Sequence, residues 1–149
     1  MHGIDKVTIL KIDKDCHIEC EWLDDYVHTI RTICHLHRVR VVSVRMCNSR
    51  SKGLHFYVEI TPAIDADLAN RLQFLLGDDC RRVDFNRARI HSGLNEWNKL
   101  FERIGTRPRT IYRHTNYPVD RHLRHTRPVA RQSTSLIVSR LSPTFSGTY

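Results

Sequence analysis

The stretch that decides the fold is "VRVVSVRMCNSRSKGLHFYVEI", residues 39–60. Its first part, 39–46, is rich in β-branched residues, and its last part, 54–60, alternates apolar and polar side chains. Both patterns are typical of strands, and the Ser, Lys and Gly residues between them favour a turn. We therefore predict an antiparallel hairpin in which His55, Tyr57 and Glu59 lie on the face away from the core.

The segments around this hairpin complete a recognisable order. Residues 7–15 are β-branched and predict a first strand, and 24–37 has apolar residues at helical spacing behind an Asp cap. Residues 65–77 predict a second helix, and 81–89 predict a fourth strand. The order βαββαβ is typical of an α+β protein with an RRM-like or ferredoxin-like antiparallel sheet and both helices on one face. In that fold the first and third strands are neighbours, and the fourth lies beside the first.

The rest of the chain divides by composition. Residues 94–105 predict an extra C-terminal helix, and from 106 onward arginine dominates, so we place an RRM-like core at 1–105 and a basic C-terminal extension at 106–149. The net charge of +8 favours an anionic partner such as nucleic acid. We expect this extension to meet phosphates through Arg107, Arg109, Arg113, Arg121, Arg124 and Arg127.

Composition also bears on location. No stretch of the 149 residues is apolar enough to span a membrane, and the N-terminus has no signal-peptide pattern. Five cysteines, an odd number, do not indicate a disulfide framework. We expect a cytoplasmic protein with no membrane partner.

The side-chain alternation brings acidic residues together. On the predicted strands Asp13, Asp15 and Asp84 point to the helix-free face, where His55 also lies. Three carboxylates supply hard oxygen ligands that suit Mg²⁺ or Mn²⁺, and a pair of such ions can orient a nucleoside triphosphate for attack by a 3′-hydroxyl. The turn before His55 adds donors for triphosphate oxygens from Ser49, Ser51 and Lys52.

Three short motifs in this set resemble those of the archaeo-eukaryotic primase superfamily, which includes the polymerase domain of bacterial end-joining ligases. The motifs are "ILKIDKD", "SRSKGLH" and "RRVDF", and the resemblance covers about residues 7–90. It implies a metal-dependent nucleotidyltransferase, a DNA replication primase-polymerase that acts on nucleic acid and nucleoside triphosphates. It also implies that the catalytic metals are held by Asp13, Asp15 and Asp84, and that the incoming nucleotide is contacted by Ser49, Ser51, Lys52 and His55.

Two other functions fit parts of the sequence. A non-catalytic RRM-like module would bind nucleic acid through aromatic rings exposed on its central strands. A rolling-circle-type endonuclease would use the paired histidines His35 and His37 with Tyr112 or Tyr117 as nucleophile. A zinc site is a further pattern, since "CHIEC" places Cys16, His17 and Cys20 at ligand-like spacing, but we interpret these cysteines as free because no second ligand cluster accompanies them.

Overall fold

The computed structural model describes residues 6–15, 20–49, 53–100 and 107–114. The chain divides into two compact units, 1–118 and 119–149, of which the second lies outside the described residues. The first unit contains β1 (Thr8–Lys14), α1 (Cys20–Leu36), β2 (Arg40–Asn48), β3 (Leu54–Thr61), α2 (Ala66–Leu75), α3 (Cys80–His91) and β4 (Arg109–Arg113). The predicted α+β class is confirmed.

The four strands form one antiparallel sheet in the order β1-β3-β2-β4. The predicted β2–β3 hairpin and the pairing of β1 with β3 are both confirmed. The prediction of 81–89 as a fourth strand beside β1 is wrong, since the fourth strand of the sheet is β4, which lies beside β2. Side chains from the α2–α3 region occupy the outer edge of β1, where a fourth strand would otherwise pair.

The segment predicted as the fourth strand, 81–89, is helical and belongs to α3. Asp79 caps this helix by accepting a hydrogen bond from the backbone N–H of Arg82 at 2.9 Å. α3 packs on α2 through the amide of Asn70, which donates to the carbonyl oxygen of Val83 at 3.0 Å. Phe85 is 64% exposed, so the Val-x-Phe alternation that suggested a strand does not mark a buried face.

The segment predicted as an extra C-terminal helix, 94–105, also departs from the prediction. Residues 94–100 are not helical, and 101–105 lie outside the described residues. Part of the predicted basic extension, Arg109–Arg113, is β4 and belongs to the sheet. The sheet thus extends beyond the boundary predicted at residue 105.

The core lies between the sheet and the first two helices. Apolar side chains of the sheet, such as Leu10 and Phe56, cluster with Ile30 of α1 and Leu72 of α2, so the predicted one-sided arrangement of these helices is confirmed. α1 begins at Cys20 and not at residue 24. Within the described ranges, no helix combines the length and apolarity needed to cross a membrane.

Candidate functional site

Asp13 of β1 and His55 of β3 lie directly opposite each other in the sheet, on the face away from α1 and α2. Asp13 Oδ1 is 3.5 Å from His55 Nε2. The side chain of Asp13 is 29% exposed, whereas that of His55 is only 3% exposed. The predicted side-chain direction is therefore correct, but on this helix-free face His55 is buried and not open to solvent.

The Asp13–His55 pair combines a shifted carboxyl pKa with buried polar atoms that have no hydrogen-bond partner. Burial raises the pKa of Asp13, the neighbouring His55 ring opposes that rise, and the carboxylates of Asp15 and Asp79 add to it. Asp13 Oδ1 and His55 Nδ1 are both buried without a hydrogen-bond partner. Because buried polar atoms in folded proteins are nearly always hydrogen-bonded, this pair is suited to a partner that arrives with a ligand.

The other predicted carboxylates are placed differently. Asp15 is exposed immediately after the end of β1, close enough to influence the pKa of Asp13. Asp84 is exposed on α3, so the fourth-strand position from which it was predicted to face the cluster is wrong. In the described parts of the chain, no group of three or more His, Cys, Asp or Glu side chains is arranged to hold a metal ion.

Gly53, which directly precedes β3, packs tightly against the end of β1. The backbone N–H of Gly53 donates to the Ser49 hydroxyl at 2.8 Å, and the backbone N–H of Ser49 donates to the carbonyl of Gly53 at 2.8 Å. A Cβ at Gly53 would overlap the carbonyl oxygen of Lys14 and would lie 3.3 Å from Cα of Asp15. Glycine is thus required for the turn to approach the acidic strand end. The predicted nucleotide contacts Ser51 and Lys52 lie outside the described residues.

We expect Gly53→Ala to lower the free energy of unfolding by about 3 kcal/mol, because the new methyl group meets backbone atoms that cannot rotate away. Gly93→Ala is the control, since Gly93 has a φ of 73° but nothing within 4 Å of an added Cβ. Backbone strain alone is expected to cost the control about 1 kcal/mol. Urea unfolding measures both values, and equal losses would show that the turn is not held against β1.

The outer edge of β1 carries a set of contacts that the sequence analysis missed. Gln73 Oε1 accepts from the backbone N–H of Lys11 at 2.9 Å, and Asp78 Oδ1 accepts from that of Asp13 at 2.8 Å. Arg82 Nη1 donates to the carbonyl of Lys11 at 2.8 Å. These side chains replace a neighbouring strand and fix the backbone that presents Asp13.

Asp78 and Arg82 form the centre of that edge. They make a close ion pair in which the side chain of Asp78 is 0% exposed and that of Arg82 is 11% exposed. Burial raises the pKa of Asp78, and the adjacent guanidinium of Arg82 opposes the rise. The sequence signal is "GDDCRR", adjacent acids after a helix-ending glycine with arginine four residues beyond Asp78.

The residues of the endonuclease alternative are only partly brought together. His35 lies in the last turn of α1 and lines the same cleft as Tyr112 of β4, whereas His37 follows the helix and is not among the lining residues. Tyr117 lies outside the described residues. Of the residues that this alternative requires, only His35 and Tyr112 therefore line a common cleft in the described part of the chain.

Several of the predicted zinc ligands and phosphate-binding arginines lie outside the described residues. Cys16 and His17 lie outside the described residues, as do Arg121, Arg124 and Arg127. Arg107 is exposed, and Arg109 and Arg113 belong to β4. Burial raises the pKa of the Cys34 thiol to about 12, so this cysteine is a core residue and not a nucleophile.

Tyr57, the aromatic residue on the sheet face away from the helices, is 5% exposed. The guanidinium carbon of Arg45 lies 5.9 Å from the centre of its ring. A buried ring offers no stacking surface for bases, so the RRM-like mode of binding on central strands is disfavoured.

No protein-family model, curated protein or solved structure matches the chain. Its function is therefore inferred from its own residues.

Proposed function

We propose that the protein is a metal-dependent nucleotidyltransferase of primase-polymerase type that holds a nucleoside triphosphate at the Asp13–His55 pair and transfers nucleotide to nucleic acid. One observation carries the proposal. Two motifs that lie far apart in the sequence meet with Asp13 Oδ1 3.5 Å from His55 Nε2, and each side chain has a buried atom without a hydrogen-bond partner.

Asp13 and Asp15 would hold Mg²⁺ or Mn²⁺, with Asp79 adding negative charge nearby. Mg²⁺ in proteins is commonly bound by one or two carboxylates together with substrate phosphates, so a cage of three protein ligands is not required. When bound, the ion supplies positive charge to the triphosphate and to the attacking hydroxyl. Burial is the main cause of the raised pKa of Asp13, and the neighbouring carboxylates of Asp15 and Asp79 add repulsion that a bound cation would offset.

His55 would contact the triphosphate. Its Nε2 faces Asp13, and its Nδ1 is buried and unpartnered, so the ring has hydrogen-bonding capacity that the described protein atoms do not use. The turn closed by Ser49 and Gly53 brings the main chain beside this histidine close to the end of β1. A cytoplasmic setting fits Cys34 and Cys80, which are in no disulfide.

The test is calorimetry of a nucleoside triphosphate binding to the full chain with Mn²⁺. We expect binding that requires the metal, and we expect His55→Gln to weaken it by about 10-fold or more, as for a lost hydrogen bond to a charged group. His91→Gln is the control, because His91 is 60% exposed on α3. Primer extension on the same samples tests the transfer itself.

Three outcomes would contradict the proposal. Wild-type protein that binds no triphosphate in the presence of Mn²⁺ has no such site. A His55→Gln protein that melts at a lower temperature but binds normally shows a purely structural histidine. If the protein binds triphosphate with metal but does not extend a primer, it is a nucleotide-binding protein and not a transferase.

A further inference from the structure

A second candidate site lies at the other end of the sheet. A cleft of about 900 Å³ is bordered by α1, the start of β2, the end of β3 and β4. Thr61 at the end of β3 lines it, and the distance along β3 from His55 to Thr61 is about 20 Å. The cleft is therefore separate from the Asp13–His55 pair.

The lining of the cleft is basic. No aspartate or glutamate is found among the described residues that line it. Its basic and imidazole side chains come from α1, the α1–β2 turn, β2 and the residue after β4: His28, Arg31, His35, Arg38, Arg40 and His114. Such a concentration of positive charge repels itself and favours an anionic ligand.

Arg31 and Arg38 are the clearest anion-binding groups in this set. Within the described ranges, neither forms an ion pair with a carboxylate. The guanidinium carbon of Arg31 lies 4.9 Å from the centre of the Tyr112 ring, so a cation and an aromatic ring stand together in the wall of the cleft. Positive charge beside aromatic rings is the combination that proteins use to bind single-stranded nucleic acid.

The backbone at Arg38 adds an independent observation. α1 ends with hydrogen bonds from the N–H of Arg38 to the carbonyl of His35 at 2.9 Å and from the N–H of Val39 to that of Cys34 at 3.0 Å. In this helix-ending motif the residue with positive φ is usually glycine. Here it is Arg38, with φ of 61°. Strained backbone positions of this kind cluster at functional sites, so the presence of arginine where glycine fits more easily favours a role for the Arg38 side chain.

We propose that this cleft binds the phosphodiester backbone of single-stranded nucleic acid. The arginines would pair with successive phosphates, and the concave wall that includes Tyr112 suits a single strand more than the broad convex surface of a duplex. This inference stands apart from the nucleotidyl transfer proposed above, because it requires neither Asp13 nor a metal ion.

The experiment measures the binding of a fluorescein-labelled oligothymidylate to the full chain by anisotropy, without divalent metal, over a series of salt concentrations. For a single strand, each lost phosphate contact reduces the slope of log K against log salt by about 0.7. We expect this reduction in both Arg31→Gln and Arg38→Gly. Arg87→Gln is the control, since it removes the same charge from an exposed position on α3 and should leave the slope unchanged.

Thermal melting of Arg38→Gly separates a binding role from a structural one. Because glycine relieves the positive-φ strain, we expect Tm to rise by about 3 °C while binding weakens. If the slope of log K against log salt is the same in the two cleft variants as in Arg87→Gln, the inference is wrong. If the two cleft variants lose duplex binding as much as single-strand binding, the assignment to single strands is wrong. The same holds if inorganic triphosphate displaces the strand at matched phosphate concentration.

Discussion

Replacement of Arg82 by methionine is expected to lower the free energy of unfolding at pH 7 by about 4 kcal/mol. The reason is the buried carboxylate of Asp78, whose side chain is 0% exposed and which would be left without the cation that offsets its charge. The variant also loses the hydrogen bonds that Arg82 donates to the carbonyl of Lys11 and to Asn98 Oδ1. Removing one partner of a buried pair costs more than the pair itself contributes.

The control for this prediction is Arg81→Met. Arg81 is the exposed neighbour of Arg82 on α3, so its replacement removes the same charge from a solvated position and should change stability by less than about 0.5 kcal/mol. Urea unfolding of both variants gives the comparison. Equal effects in the two would mean that the Asp78–Arg82 pair contributes nothing beyond surface charge.

The loss of unfolding free energy in Arg82→Met should depend on pH, and the direction of that dependence follows from the pKa of Asp78. Burial raises the folded-state pKa of Asp78 above its unfolded value, so the Asp78 carboxyl binds its proton more tightly in the folded protein than in the unfolded chain. The contribution of Asp78 to the free energy of unfolding therefore increases as the pH falls through the folded pKa. Without the guanidinium that opposes the shift, the folded pKa rises further. The difference between variant and wild type should therefore shrink as the pH falls toward about 4, and a difference that grows would contradict the assignment.

The sheet could be predicted where hydrophobic period and register agree. The alternation in 54–60 fixed which side chains of β3 face the core, and the same period on β1 placed Asp13 beside His55. The segment 81–89 misled because its only alternating apolar residues are Val83 and Phe85, which is too short a pattern to separate a strand from a helix. β4 was missed because its "RTIYR" lies within an arginine-rich segment whose composition suggested an extension.

The edge of β1 could not be predicted because it depends on side chains from distant segments. Gln73, Asp78 and Arg82 each contact the backbone of β1 across more than sixty positions of sequence, with separations of 62, 65 and 71 residues. No periodic pattern encodes such contacts, since each is a single side chain that reaches one backbone group. These contacts bring Asp79, which precedes α3, close to Asp13. Besides Asp15, the acidic residue that raises the pKa of Asp13 is therefore Asp79 and not Asp84 within α3.

Asp13→Asn is expected to reduce metal-dependent nucleotidyl transfer by more than the roughly 10- to 100-fold typical of losing a residue that only supports a metal ligand. Its Oδ1 lies 3.5 Å from His55 Nε2, and its carboxylate is the part of the proposed site that would bind the ion directly. Primer extension with Mn²⁺, at saturating triphosphate, measures the effect.

The same substitution should raise Tm, and this opposite sign distinguishes loss of function from damage to the fold. Burial raises the folded-state pKa of Asp13, so its ionised form is less favourable in the folded protein than in the unfolded chain, and this cost is present at every pH above the folded pKa. A neutral amide removes that cost. Asp84→Asn is the matched control, because Asp84 is exposed on α3 and should affect neither transfer nor melting. If Asp84→Asn abolishes transfer while Asp13→Asn preserves it, the chemistry does not take place at the end of β1. If Asp13→Asn lowers both transfer and Tm, the fold itself needs Asp13, and the lost activity is no evidence for a metal site.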